Sequence, residues 1–248
     1  MEIIFGDIRY ILAEKLECKD LWNVSKIGHK ERMIELIHKK CLKEIKYRLK
    51  KILEDKYEEF IDLLYRTGAV ISGSFILQCL LNEDWGSDID ILISTKEITV
   101  EFVNFMEKYN YTSIYYGQNC KRDMMGISGV RCVEFLETKI QFLLVNIGKH
   151  EIKDFILGNF DFDIVKNLFQ ENKLYIHDYE QIFSKRTEYK VGKIPGSSII
   201  RRIKYEYRGF SFYQPNYSYQ SLKKWVEYKF IYAIPISLIC WGFKKIIL

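Results

Sequence analysis

Asp88 and Asp90 stand on either side of Ile89, at the head of the apolar run Ile91-Leu92-Ile93. That placement restricts what the chain can fold into. Side chains i and i+2 of a strand share a face, with Cα atoms roughly 6.5 Å apart. Two carboxylates at that spacing repel by roughly 2.5 kcal/mol at an effective dielectric near 20. A fold that keeps both on a buried strand must offset the repulsion, and a divalent cation bound between them would do so.

The preceding residues supply a complementary half. "AVISGSFILQCLL" at 69–81 reads as a short buried strand, a Gly73-Ser74 turn and a helix. A glycine after a strand lets the backbone approach a ligand closely, and amides at a helix N-terminus attract phosphate. Ser74 adds a hydroxyl at the same place. Two carboxylates on one strand face make a hard oxygen site for Mg²⁺ or Mn²⁺, which keeps waters and takes substrate phosphates as further ligands. Such an ion would polarise a phosphate, hold leaving pyrophosphate and help deprotonate an attacking hydroxyl. A Gly-Ser pair or a DxD alone is common on protein surfaces. Their order (strand, Gly-Ser, helix, acids opening an apolar strand) is what points to nucleotide chemistry.

Elsewhere, apolar residues at Ile34, Ile37, Cys41, Ile45, Leu49, Ile52, Ile61 and Leu64 predict one long amphipathic helix or two shorter ones over residues 31–65. Gly68 can serve as its C-cap. A helix is expected over 97–109. "VRCVEFL" and "KIQFLLV" read as a hairpin joined through Glu137-Thr138. A helical stretch begins near Glu151, and "FDFDIVKNLF" continues its apolar pattern. These elements describe an α/β (α+β) fold, a mixed sheet flanked by helices. The expected organisation is an N-terminal helical region (1–66), an α/β core (67–184) and a basic, aromatic, mostly helical C-terminal module (185–248).

"ISGSFILQCLLNEDWGSDIDILI" resembles the nucleotidyltransferase superfamily with the DNA polymerase β-like palm, whose signature is Gly-Ser, a spacer and Asp-x-Asp. With "FDFDIVKNLF" and "RRIKYEYRGFSF", the chain is similar to nucleotidyltransferase-like proteins of giant DNA viruses. The specific motif covers residues 69–95, and the broader similarity reaches to residue 212. The resemblance implies a nucleotidyltransferase-type mixed sheet that transfers a nucleoside monophosphate from a nucleoside triphosphate with a divalent metal. Gly73 and Ser74 would hold the triphosphate, and Asp88 and Asp90 the metal. Ser87, Lys121, Arg122 and the cations at 201–208 are further candidates for the nucleotide. The family's third carboxylate, often the base, aligns here with Gln141, which cannot accept a proton at neutral pH. Either Glu134, on the facing strand of the hairpin, replaces it, or the chain binds nucleotide or RNA with weakened or lost turnover. A second DxD, Asp161 and Asp163, lies in a helical pattern where i and i+2 share no face, which favours a structural or capping role.

Apolar content of 48% and charged content of 29% exclude global disorder. Residues 39–51 and 185–208 carry +6 each, so a net charge of +5 leaves the rest of the chain at −7. Concentrated positive charge suits an anionic partner such as nucleotide or RNA, although for the first stretch a solvated helix face is the favoured explanation. "RRIKYEYRGFSFYQPNYSY" can neutralise phosphates and stack bases, or bury its aromatics while the cations reach outward. The acceptor could be RNA, a protein hydroxyl or a small molecule.

Six scattered cysteines without a CxxC argue against a zinc site or disulfide frame and for a reducing compartment. "MEIIFGDIRY" has acids where a secretory signal is basic, so an intracellular protein is expected. Residues 230–243 lack charge but are fewer than the ~18 a membrane span needs and contain Pro235. A buried element is expected there, with a membrane tether as the alternative. There is no GxxxxGK[ST] and no GxSxG, and the four histidines show no metal-ligand spacing.

Overall fold

The computed structural model describes residues 14–111, 113–116, 132–135, 138–145, 151–188 and 195–213. Among them, seven strands form one mixed sheet: β1 (Val70–Ser72), β2 (Ile89–Ile93), β3 (Ser113–Tyr116), β4 (Cys132–Phe135), β5 (Ile140–Leu144), β6 (Leu168–Gln170) and β7 (Lys173–Tyr175). Their spatial order is β3-β4-β5-β2-β1-β6-β7, which makes β2 the middle strand. β2 runs parallel to β5 and antiparallel to β1. The expected hairpin is present as the antiparallel pair β4–β5.

Alternation along β2 sorts the two faces. Ile89, Ile91 and Ile93 enter the main core with Ile71, Ile140 and Phe142, beneath helices Lys30–Leu53, Tyr57–Thr67, Ser74–Leu81 and Lys96–Lys108. Leu92 faces the other way and packs with Val70, Leu168, Ile152 and Ile156 under helix Ile152–Asn159. Asp90 shares the Leu92 side by the same alternation. The rings of Phe60, Phe102 and Phe142 tie two helices to β5, with centroids 6.0 and 4.9 Å apart.

Of the two readings of residues 31–65, the structure shows the pair of shorter helices. Lys30–Leu53 buries Met33, Ile37, Cys41, Ile45, Leu49 and Leu53 as one stripe. The chain then breaks at Glu54, at φ 52°, passes through a short 3-10 turn and resumes as Tyr57–Thr67. Gly68, at φ 64°, ends the second helix in the left-handed region, as expected.

Residues 160–170 depart from the helical reading. The helix stops at Asn159, and Asp163–Val165 form a 3-10 turn before β6 pairs with β1. The side chain of Asn167 redirects the backbone. It donates to the Ile164 carbonyl (2.7 Å) and accepts from the His177 amide (3.1 Å).

In the C-terminal region, helix Pro195–Tyr207 is accompanied by two short parallel strands, β8 (Arg186–Glu188) and β9 (Ser211–Tyr213). Tyr205 and Phe210 are buried, and Phe162 packs edge-on against Tyr205 and Phe212. These aromatics therefore serve the core, while Arg201 pairs with Asp161 and Arg202 with Glu206. Among the described residues no helix is long and apolar enough to cross a membrane. Residues 230–243 lie outside them.

Cys18, Cys41 and Cys79 are free and buried. Burial pushes the Cys18 and Cys79 thiols up to about 12 and the Cys41 thiol well above its ordinary value. Because the thiolate is the nucleophile, these three should react with a water-soluble thiol reagent at least ~100-fold more slowly in the folded protein than in denaturant. Mass spectrometry of the labelled positions over time checks this.

Candidate functional site

β1 ends at Ser72, and Gly73 turns the chain with φ 80° and ψ −146°, a conformation open to glycine. Helix Ser74–Leu81 starts at once. Gly73 is its N-cap and has no side chain to cap with, so first-turn amides face the turn without an intrahelical acceptor. Ser72 is the cross-strand partner of Asp90, which brings the Asp90 carboxylate to this turn. A Cβ placed on Gly73 would lie 2.8 Å from Asp90 Oδ2. The missing side chain is what admits the carboxylate.

The spacer between helix and β2 is held on all sides. Asn82 ends the helix at φ 53°. The buried Gln78 then accepts the Trp85 amide on its side chain (3.1 Å) and the Glu83 amide on its carbonyl (3.0 Å). Asp84 accepts the Gly86 amide at 2.9 Å, an Asx turn. From outside, Arg48 donates to the Glu83 carbonyl (2.8 Å), Lys185 pairs with the Glu83 carboxylate (2.6 Å) and Lys139 donates to the Gly86 carbonyl (3.2 Å). Ser87 and Asp88 are thereby delivered to the start of β2.

Two side chains from the C-terminal segment complete the surroundings. Tyr205 stands close to Ser74 and Asp90. Burial pushes its phenol up to about 12, with Asp90 adding to the rise and Arg208, Arg201 and Ser74 opposing it. Arg208 lies over the rings of Trp85 (4.5 Å) and Tyr205 (5.2 Å) and donates to Ser87 Oγ at 2.9 Å. Burial lowers the pKa of this guanidinium, opposed by Tyr205 and Asp88. Gly73, Ser74, Ser87, Asp88 and Asp90 thus come together, with both acids close to the Tyr205–Arg208 pair.

The other candidates divide. Asp90 is the cross-strand partner of Gln141 on β5, and Gln141 that of Glu134 on β4, so one row of the sheet carries all three. Lys121 and Arg122 lie outside the described residues. Asp161 is bound to Arg201 of helix Pro195–Tyr207, and Asp163 to Lys166 at 2.7 Å, so this second DxD ties the turn to that helix and to itself. Sequence reasoning did not foresee Tyr205 beside Ser74 and Asp90. The only signal was the interleaved aromatic and basic pattern, which does not say what each ring touches.

Among the described residues no group of three or more His, Cys, Asp or Glu could hold a metal ion. Asp88 and Asp90 form a two-carboxylate set. That fits Mg²⁺ or Mn²⁺ completed by water and phosphate oxygens, not an all-protein cage.

A family model described as "Gabija anti-defense 2 family protein" matches residues 30–182, more than half of the chain. The chain belongs to this family. No curated protein matches the sequence. Among solved structures, the fold is similar to a Thermotoga maritima CCA-adding enzyme complexed with tRNA, at 17% identity and a TM-score of 0.51 over 82% of this chain and 50% of that one. It is also similar to a CCA-adding enzyme in complex with CTP, at 18% identity and a TM-score of 0.50 over 80% and 49%. Likeness at these identities establishes the nucleotidyltransferase-type fold. The chain spans about half the length of these enzymes. The family match includes Gly73 to Asp90 and stops short of Tyr205 and Arg208.

The Gly73 contact is directly testable. Gly73→Ala adds a methyl group against Asp90 Oδ2 at a positive φ, and the cost is expected at about 1–3 kcal/mol. Urea unfolding measures it, and a loss below ~0.5 kcal/mol would contradict the close approach.

Proposed function

We propose that this chain is a metal-dependent nucleotidyltransferase that moves a nucleoside monophosphate from a nucleoside triphosphate to a hydroxyl acceptor and releases pyrophosphate. The observation that carries the reading is the Asp90 carboxylate set against Gly73, directly before the helix that begins at Ser74. First-turn amides and the Ser74 hydroxyl grip the phosphates, and the Ser87 hydroxyl accepts from Arg208 just before β2. Asp88 and Asp90 hold Mg²⁺ or Mn²⁺, which when bound polarises the phosphate under attack. The acceptor oxygen bonds to the α-phosphorus as the bond to the β-phosphate oxygen breaks. Glu134, in the row of Asp90, takes the acceptor proton.

Neighbours of this fold in complex with tRNA and with CTP support nucleotide and RNA as partners. Exposed Lys39, Lys43 and Lys51 on helix Lys30–Leu53 support an anionic acceptor; a protein hydroxyl is the other acceptor class. Membership of an anti-defense family supports transfer chemistry used against a defence. Buried free thiols and dependence on a nucleoside triphosphate support an intracellular setting. The likeness to giant-virus proteins rests on the sequence stretches alone.

Gln141 beside Asp90 favours a second reading, in which nucleotide binds and is not turned over. Asp88→Asn should cut transfer from α-labelled triphosphate by at least ~100-fold with the circular dichroism spectrum retained. Undiminished transfer would remove the assignment. Glu134→Gln should lower the rate by about 10²–10⁴-fold if Glu134 is the base. Wild-type binding without labelled product would support the second reading.

A further inference from the structure

Arg208 sits just past the end of helix Pro195–Tyr207 with one of its donors unspent. Its Nη2 donates to Ser87 Oγ at 2.9 Å. Its Nη1 is sealed from solvent and has no hydrogen-bond partner among the described residues. Native proteins rarely leave a buried donor unpaired, least of all a charged one, and such an exception needs an explanation. Of the two carboxylates near it, Glu83 is bound to Lys185 (2.6 Å) and to the Trp85 indole (2.9 Å), and Asp88 gives Nη1 no hydrogen bond. The guanidinium carbon lies over the Trp85 ring at 4.5 Å, a contact that restrains the head group beside Ser87.

We infer that Arg208 is a phosphate-binding residue of this site, and that its Nη1 donates to a non-bridging oxygen of the nucleotide's phosphate chain. The location selects that ligand class. Arg208 touches Ser87, lies near Asp88 and packs on Tyr205, which stands close to Ser74 at the start of the phosphate-gripping helix. Asp88 offsets its charge but leaves Nη1 without a hydrogen bond, and an anion with several acceptor oxygens would supply one. A guanidinium can engage two of those oxygens while its face stays on the indole.

The residue comes from outside residues 30–182. Lys185 donates to the Arg208 carbonyl (3.3 Å), the Ser211 amide donates to the Lys185 carbonyl (2.8 Å), and Gly209 turns at φ 83°. The β8–β9 pair and its helix are thus what aim Arg208 at the site.

This inference rests on the nucleotidyltransferase reading, and its rival is that Arg208 only pins the loop at Ser87. Calorimetric titration separates them, using the full chain and the mono-, di- and triphosphate of whichever common nucleoside binds most tightly, with and without Mg²⁺. In Arg208→Gln the triphosphate Kd should rise about 30-fold, equivalent to ~2 kcal/mol, and the monophosphate Kd less than ~3-fold. Arg208→Lys should recover part of the loss and confirm that the protein folds. The difference should persist without Mg²⁺, because Arg208 acts without the cation. Equal losses for all three nucleotides, or an unchanged triphosphate Kd, would overturn the inference and leave the function standing. A wild-type protein that binds no nucleotide would overturn both.

Discussion

The Asp90 carboxylate rests against the backbone of Gly73, and the geometry of the site depends on that approach. It exists because β1 and β2 pair with Ser72 opposite Asp90. A one-residue slip of β2 would turn Asp90 into the core that Ile89, Ile91 and Ile93 now fill, and would move those isoleucines to the opposite face. Burial of the three isoleucines therefore sets the register, and the register places the charge. Apolar packing and the functional site are specified by the same alternation.

The two halves of the signature are joined by a helix sunk in the apolar core and a loop held by polar contacts. Gln78 binds the loop from within, while Arg48, Lys139 and Lys185 hold it from three separate parts of the chain. Arg48 is itself oriented by Glu44 at 2.5 Å, on the same turn of helix Lys30–Leu53. The long N-terminal helix thus does more than cover the sheet. It fixes the carbonyl of Glu83, from which the chain runs directly to Ser87 and Asp88.

Much of this was legible in the sequence because it is local. Gly73-Ser74 and Asp88-Ile89-Asp90 announce a turn and a strand start through residue type and spacing. The hairpin reading put Glu134 and Gln141 on facing strands, and the register makes them direct partners. Two helices over 31–65 were one of the readings, but the place of the break was not legible, since the apolar pattern continues on both sides and a positive φ at Glu54 interrupts it. Residues 160–170 were misread because Phe160, Phe162, Ile164, Val165, Leu168 and Phe169 satisfy a helical period while the bonds of Asn167 decide otherwise. The cations at 201–208 were candidates from their charge, but what Tyr205 and Arg208 touch was hidden by distance. Arg208 meets Ser87 across 121 residues of sequence, and no local pattern encodes such a contact.

That contact also changes the answer to the repulsion between Asp88 and Asp90. On sequence alone a bound cation is the natural remedy, since two carboxylates so close need a positive charge nearby. The folded chain brings one of its own: Arg208 interacts favourably with Asp88, and Tyr205, held protonated by burial, lies beside Asp90. Gln141, in the row where a third acid would stand, adds no further negative charge. The pocket is therefore less acidic than its signature suggests. Its fold need not wait for metal, and its guanidinium is in place before any phosphate arrives. Under the proposed function, such a site would bind the anionic end of a nucleotide against fixed protein charge and would leave the cation the narrower task of activating it.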